Sequence, residues 1–115
     1  MRRSVLIVDD HAGFRSAARA LLEASGFEVV GDAADGGSAM SAVRELHPDV
    51  LLLDIQLPDM NGFDVAEALR DEHTVIVFVS SRSASAFRWR LAANPAWRFI
   101  AKSALSGELL AAALT

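Results

Sequence analysis

Residues 5–14 read "VLIVDDHAGF". Four consecutive aliphatic residues, Val5 to Val8, run straight into two adjacent carboxylates, Asp9 and Asp10. A short aliphatic run without polar alternation is the pattern of a strand covered on both faces, as inside a parallel sheet. The pattern returns at Val50–Leu53, which ends in Asp54, and at Val75–Val79, which ends in Ser80 and Ser81. Glu28–Ala33 and Phe99–Ala101 read as two further strands, the last running into Lys102.

The segments between these runs have helical spacing. Phe14, Ala17, Ala18, Leu21 and Leu22 mark a first helix, with Gly26 as its stop. Asp35–Ser38 predicts a turn, and Met40, Val43 and Leu46 a second helix that Pro48 cannot continue. Pro58–Gly62 is expected to be a loop, followed by a third helix carrying Phe63, Val65, Ala66 and Leu69. Phe87, Leu91 and Ala92 suggest a fourth helix, closed by Asn94–Pro95. Leu109, Leu110 and Ala113 suggest a last one, with Ser106 as N-cap. Strand followed by helix, repeated along the chain, predicts an α/β fold: a doubly wound parallel sheet with helices on both faces and right-handed crossovers.

The length of 115 residues suits one domain, 1–115, with no linker or repeat. A hydrophobic content of 52% excludes disorder. No apolar run is long enough to span a bilayer, so no membrane contact is expected. Arg2 and Arg3 precede an apolar run, but Asp9 and Asp10 cut it too early for a signal peptide. The absence of cysteine removes disulfide and thiolate chemistry, and a cytoplasmic location is expected. A net charge of −4 gives no sign of a nucleic-acid binder.

In an open parallel sheet, ligands bind beyond the carboxyl ends of the strands. Asp9, Asp10, Asp54, Ser80 and Lys102 all fall at that edge. Adjacent carboxylates repel one another, and a hard divalent cation relieves the repulsion. Mg²⁺ takes about six oxygen ligands, commonly one or two carboxylates with waters and phosphate oxygens. A lysine at the same place favours an anion such as a phosphoryl group. A carboxylate can itself accept that group as an aspartyl phosphate. Taken singly, each residue has a plainer reading: Asp10 a turn former, Ser80 a loop hydroxyl, Lys102 a solvated cation. Their shared edge is what argues for chemistry. His11 is given no chemical role. Asp59 and Asp64 are expected to face solvent, Asp32, Asp35 and Asp49 to lie away from the crevice, and Trp89 and Trp97 to serve packing.

Four stretches, "VLIVDDH", "HPDVLLLDIQLPDMNG", "VIVFVSS" and "FIAKS", resemble in order the receiver domain of bacterial two-component response regulators. The resemblance covers essentially the whole chain. "VDDHAGFR" and "GFEVVGDAADG" are most similar to the NarL/FixJ (LuxR-type) subfamily. The resemblance implies a flavodoxin-like (CheY-like) sheet of five strands in the order 2-1-3-4-5. It implies Asp54 as phosphoacceptor, Asp10 as a direct Mg²⁺ ligand and Asp9 as its partner, often through water. The backbone carbonyl of Gln56 would be the third protein ligand. Ser80 would supply the hydroxyl that reorients, Lys102 the ammonium that pairs with a phosphoryl oxygen, and Phe99 the aromatic switch. Pro58 and Gly62 would shape the acceptor loop.

The implied function is a signalling switch whose only chemistry is its own phosphotransfer and slow autodephosphorylation, so not an enzyme in the ordinary sense. The implied partners are a sensor histidine kinase and a downstream protein or an output domain outside this chain, with room for a homodimer. No nucleic acid would be contacted by the chain itself. The sequence departs from the family pattern in three places. Ser103 follows Lys102 where proline is common, and a cis bond there would cost ~2.5–4 kcal/mol, so a trans bond is expected. "AANPAW" before the fifth strand lacks the usual glycine, which bears on the loop after the fourth helix. Phe99 has no hydroxyl to offer a partner. Two other readings compete. A phosphohydrolase of the haloacid dehalogenase type would want an Asp where Gln56 stands. A non-phosphorylated pseudo-receiver would serve only as an interaction module. A glycine-rich phosphate loop after the first strand is absent.

Overall fold

The computed structural model describes residues 2–115; of the expected domain, Met1 lies outside the described residues. The strands are β1 (Ser4–Val8), β2 (Glu28–Ala33), β3 (Val50–Asp54), β4 (Val75–Ser80) and β5 (Arg98–Ala101). The helices are α1 (Ala12–Ala24), α2 (Gly36–Leu46), α3 (Gly62–Ala68), α4 (Arg88–Ala92) and α5 (Gly107–Ala113). All neighbouring strands pair in parallel, in the order β2-β1-β3-β4-β5. The expected strand order and fold class are the ones observed.

Both faces of the sheet are covered, which explains the unbroken aliphatic runs. Successive strand residues point to opposite faces. Leu6, Val8, Leu51 and Leu53 pack against Ala39 and Val43 of α2 and Val65 and Ala66 of α3. Val5, Ile7, Val50 and Leu52 pack on the other face with Ala18 and Leu22 of α1 and Leu110 of α5. Polar alternation would have placed charge in one of these two cores.

Several local expectations change in detail. Asp35 is the N-cap of α2 rather than part of a free turn: its carboxylate accepts from the Ser38 amide at 2.7 Å. Gly26 follows the C-cap of α1 with φ +94°, a left-handed conformation that glycine adopts without penalty. The fourth helix is shorter than its apolar residues suggested. A 3₁₀ turn over Ala84–Phe87 leads into the five residues of α4, none of them buried. Trp89 on that helix is 80% exposed, against the expectation of a packing role. Trp97 does pack, with its ring centroid 5.3 Å from Phe78 and 5.7 Å from Phe63.

The loop before β5 closes without glycine. The Asn94 side chain accepts from the Ala96 amide at 2.9 Å, and the Asn94 carbonyl accepts from the Trp97 amide at 3.1 Å. Proline in the second place and asparagine in the first suit this turn, because Pro95 presets its own φ and Asn94 bonds the backbone two residues on. No described peptide bond is cis, so Lys102–Ser103 is trans as expected.

Candidate functional site

β1, β3, β4 and β5 deliver their last side chains to one edge. The Asp9 amide bonds the Ala33 carbonyl at 3.0 Å, extending the β1–β2 ladder by one residue and fixing Asp9 at that edge. Asp54 is the last residue of β3 and Ser80 the last of β4. Lys102 follows β5 at the start of a 3₁₀ turn. Asp9, Asp54 and Ser80 are the only buried polar or charged side chains among the described residues. Burial of two carboxylates against aliphatic strands requires a countercharge.

Lys102 supplies it. Its ammonium is 2.5 Å from Asp9 Oδ2 and 3.4 Å from Asp54 Oδ2. Asp9 Oδ2 is fully buried, and the Lys102 ammonium is the charge that faces it. The lysine also lies 4.7 Å from the centre of the Phe14 ring. Asp54 Oδ1 accepts from the Gln56 amide at 3.2 Å. Burial raises the Asp54 carboxyl above its ordinary pKa; the Gln56 amide opposes this, the charge of Asp9 adds to it, and Lys102 opposes it. Burial alone would depress the Lys102 ammonium, but the hydrogen bond and charge of Asp9 and the charge of Asp54 outweigh it, and its pKa rises.

The remaining expected residues fall at different distances from this core. Asp10 is exposed and joins through His11, whose Nδ1 lies 3.0 Å from Asp10 Oδ1 and 3.1 Å from Asp9 Oδ1. The Ser80 hydroxyl accepts from the Arg82 amide at 3.0 Å and so is turned toward the loop after β4. Phe99 stands opposite Phe78 in the β4–β5 register and is partly buried against the core on the α2–α3 side.

The acceptor loop is held by groups at both its ends. The Gly62 amide bonds the Ile55 carbonyl at 2.7 Å, and Gln56 bridges to Asn61. A Cβ on Gly62 would stand 2.5 Å from the Asp54 carbonyl oxygen, so only glycine allows this approach. Asp59 accepts from the Gly36 and Gly37 amides at 2.8 and 3.0 Å, which ties the loop to the start of α2. Those two amides lower its pKa. Asp59 is exposed as expected, but it is not idle.

Three groups were missed by the sequence reading. His11 was given no role and is within reach of two site carboxylates. Arg15 donates to the Asp9 carbonyl at 2.6 Å and lies 3.6 Å from Asp32, joining that aspartate to the rim. Asp59 acts across more than twenty positions in sequence. A helical repeat places Arg15 one turn after His11, but no local pattern announces the Asp59 contact.

The site fits a hard divalent cation. One ligand atom each from Asp9, Asp10, His11 and Asp54 can be chosen so that all lie within 4.8 Å of one another. Three carboxylates match the oxygen preference of Mg²⁺, and the buried Asp9 Oδ2 faces the Lys102 ammonium, a cation already held at this place.

A buried aspartate pair joined by lysine, at the carboxyl edge of a 2-1-3-4-5 sheet, defines a receiver-type domain. The sequence profile of the response regulator receiver domain matches residues 5–114, and the chain belongs to that family. It is thus a response regulator receiver domain of two-component systems. The DNA-binding response regulator MtrA of Mycobacterium tuberculosis is 43% identical over 86 residues, which are 72% of this chain and 36% of that protein. A Pseudomonas aeruginosa protein named for transcriptional regulation is 36% identical over 111 residues, 95% of this chain and 54% of that one. The chain therefore spans about half or less of these curated relatives. A LuxR-family two-component response regulator from Aurantimonas sp. SI85-9A1 superposes with a TM-score of 0.86 at 31% identity, covering 97% of this chain and 82% of that one. Among the described residues no helix is long and apolar enough to cross a membrane.

Proposed function

We propose that this chain is the phosphoacceptor switch of a two-component phosphorelay, taking a phosphoryl group from a sensor histidine kinase onto Asp54. The observation that carries this reading is the buried Asp54 carboxylate beside both the Lys102 ammonium and the Asp9 carboxylate. In the transfer, an Asp54 oxygen forms a bond to phosphorus while the phosphorus–nitrogen bond of the donor histidine breaks, the electron pair staying on that nitrogen. Asp9, Asp10, Asp54 and the Gln56 carbonyl would hold Mg²⁺, which when bound neutralises charge on the phosphoryl oxygens. Lys102, already within 3.4 Å of Asp54, needs little movement to pair with a phosphoryl oxygen. Ser80 would donate its hydroxyl to another, and Phe99 would follow it inward.

The chain's own chemistry then ends with slow loss of the group to water. The haloacid dehalogenase reading lacks support, because Gln56 offers no acid two residues after Asp54. The pseudo-receiver reading is disfavoured by an acidic cluster and lysine that are all in place. The partners would be the kinase and an output domain or downstream protein, in the cytoplasm. The experiment is intact-mass analysis after incubation with acetyl phosphate and Mg²⁺. One phosphoryl group should be gained, and none in Asp54→Asn; equal gain in the variant overturns the assignment.

A further inference from the structure

His11 is the N-cap of α1, yet its side chain makes no capping hydrogen bond. Its amide donates to Asp9 Oδ1 at 2.8 Å, which folds the loop after β1 back over the carboxylates. The imidazole Nδ1 then stands 3.1 Å from Asp9 Oδ1 and 3.0 Å from Asp10 Oδ1. A single Nδ1–H can be directed at only one of these oxygens. Two donors bound at right angles to one ion, each at about 2.1 Å, stand about 3.0 Å apart. Nδ1 and the two oxygens already have that spacing. Asp54 completes a set of four whose ligand atoms all lie within 4.8 Å of one another. The His11 ring is largely exposed, so Nε2 is free to donate to water while Nδ1 meets the carboxylates.

We propose that His11 is a nitrogen ligand of this cation site and that it biases the site toward divalent transition metals over Mg²⁺. The inference rests on the cation site proposed above and not on phosphoryl transfer. Mg²⁺ takes oxygen ligands and keeps several of its waters, so the carboxylates and the Gln56 carbonyl serve it and an imidazole offers it little. Co²⁺, Ni²⁺ and Zn²⁺ accept imidazole readily, and for such mixed nitrogen and oxygen sites affinity rises from Mn²⁺ toward Cu²⁺. Exchange of one bound water for the His11 nitrogen therefore separates the two classes of metal. A histidine that only hydrogen-bonds Asp9 would orient the carboxylate without touching the ion, and its loss would weaken every divalent metal alike.

The probes are Co²⁺ and Mg²⁺ alone, titrated into the unphosphorylated chain by calorimetry. Co²⁺ should bind about tenfold or more tighter than Mg²⁺. In His11→Ala, Co²⁺ affinity should fall about tenfold or more, while Mg²⁺ affinity stays within about twofold of wild type. His47 and His73 line a separate hollow with Asp49 and Asp71, so His47→Asn/His73→Gln should keep the Co²⁺ affinity of the site. Mn²⁺ bound to wild type should show imidazole nitrogen coupling in pulsed electron paramagnetic resonance, and that coupling should vanish in His11→Ala. The coupling is read on the wild type, so it does not depend on a variant folding. Unchanged Co²⁺ affinity in His11→Ala, an equal loss for both metals, or no nitrogen coupling in wild type would each overturn the inference and leave the Mg²⁺ site standing. Binding of neither metal by wild type would overturn both.

Discussion

Lys102 is closer to Asp9 than to Asp54: 2.5 Å against 3.4 Å from ammonium to carboxylate oxygen. The lysine therefore compensates the fully buried carboxylate first. Lys102→Met removes that countercharge and leaves Asp9 buried without it. Breaking a fully buried pair typically costs 3–5 kcal/mol; with the lysine partly open to solvent, a loss of about 1–3 kcal/mol is expected. Urea unfolding with and without Mg²⁺ checks this. Mg²⁺ should restore part of the loss, because a cation can take the lysine's place. A variant as stable as wild type in both conditions would remove Lys102 from this role.

Both pKa shifts are upward, so each predicts that stability falls as pH rises, Asp54 at the acid end of the scale and Lys102 at the basic end. The Lys102 ammonium is held above its ordinary 10.5 in the folded chain. Its contribution to stability is present below that value and is lost as pH rises through the higher folded pKa. Asp54 is raised above 3.8, so its ionisation opposes folding. Wild type should therefore lose stability relative to Asp54→Asn as pH climbs from about 3.8 through the folded pKa, with the gap closing below 3.8. Melting temperatures of both proteins across pH test the sign; a variant less stable than wild type at neutral pH reverses it.

Gly62 approaches the Asp54 backbone where no side chain fits. In Gly62→Ala the new Cβ would meet the Asp54 carbonyl oxygen at 2.5 Å and the Ile55 Cα at 3.0 Å. Both are backbone atoms at the end of a central strand and cannot swing away. A destabilisation of about 1–3 kcal/mol follows. Gly13→Ala meets nothing within 4 Å and is the control. Chemical denaturation of the two variants distinguishes a local clash from a general effect of replacing glycine.

Mg²⁺ should raise the melting temperature of wild type by binding only the folded state. Asp10→Ala should blunt that rise while leaving the metal-free protein as stable or more so, since one of the neighbouring like charges is gone. Equal rises in both proteins would exclude Asp10 from the cation site.

The strands and the site residues at their ends were readable because both depend on local pattern. Val5–Val8 and Val50–Leu53 are aliphatic on both faces, and each ends where the polar residue must emerge. Contacts made by folding were not readable in the same way. Asp59 reaches the amides of Gly36 and Gly37 through the return of a loop to a distant helix. His11 looked like a loop residue because its partners are its own neighbours, which gives no periodicity. Trp89 misled for another reason: a tryptophan at helical spacing suggests burial, but α4 has only five residues and turns that face to solvent.

The proposed switch would require Ser80 to leave its present partner. Its hydroxyl now accepts from the Arg82 amide at 3.0 Å. A phosphoryl group on Asp54 offers three strong acceptor oxygens, and a hydroxyl nearby gains by turning its proton toward one. That would release the Arg82 amide and, in the proposed switch, make room for Phe99, which stands opposite Phe78 in the β4–β5 register. Trp97 packs edge-on against Phe78, so movement of Phe99 should reach it. Serine lacks the methyl of threonine, and the volume it vacates is small. A near-complete reversal of a two-state equilibrium needs about 5.5 kcal/mol of differential binding, so the expected shift is partial. Amide NMR spectra with and without beryllofluoride and Mg²⁺ provide the measurement. Shifts should appear at Arg82, Phe99 and along α4, with intermediate positions in wild type and smaller displacement in Ser80→Ala. Changes confined to the loops around Asp54 would mean that the site accepts the phosphate mimic without moving the α4–β5 surface.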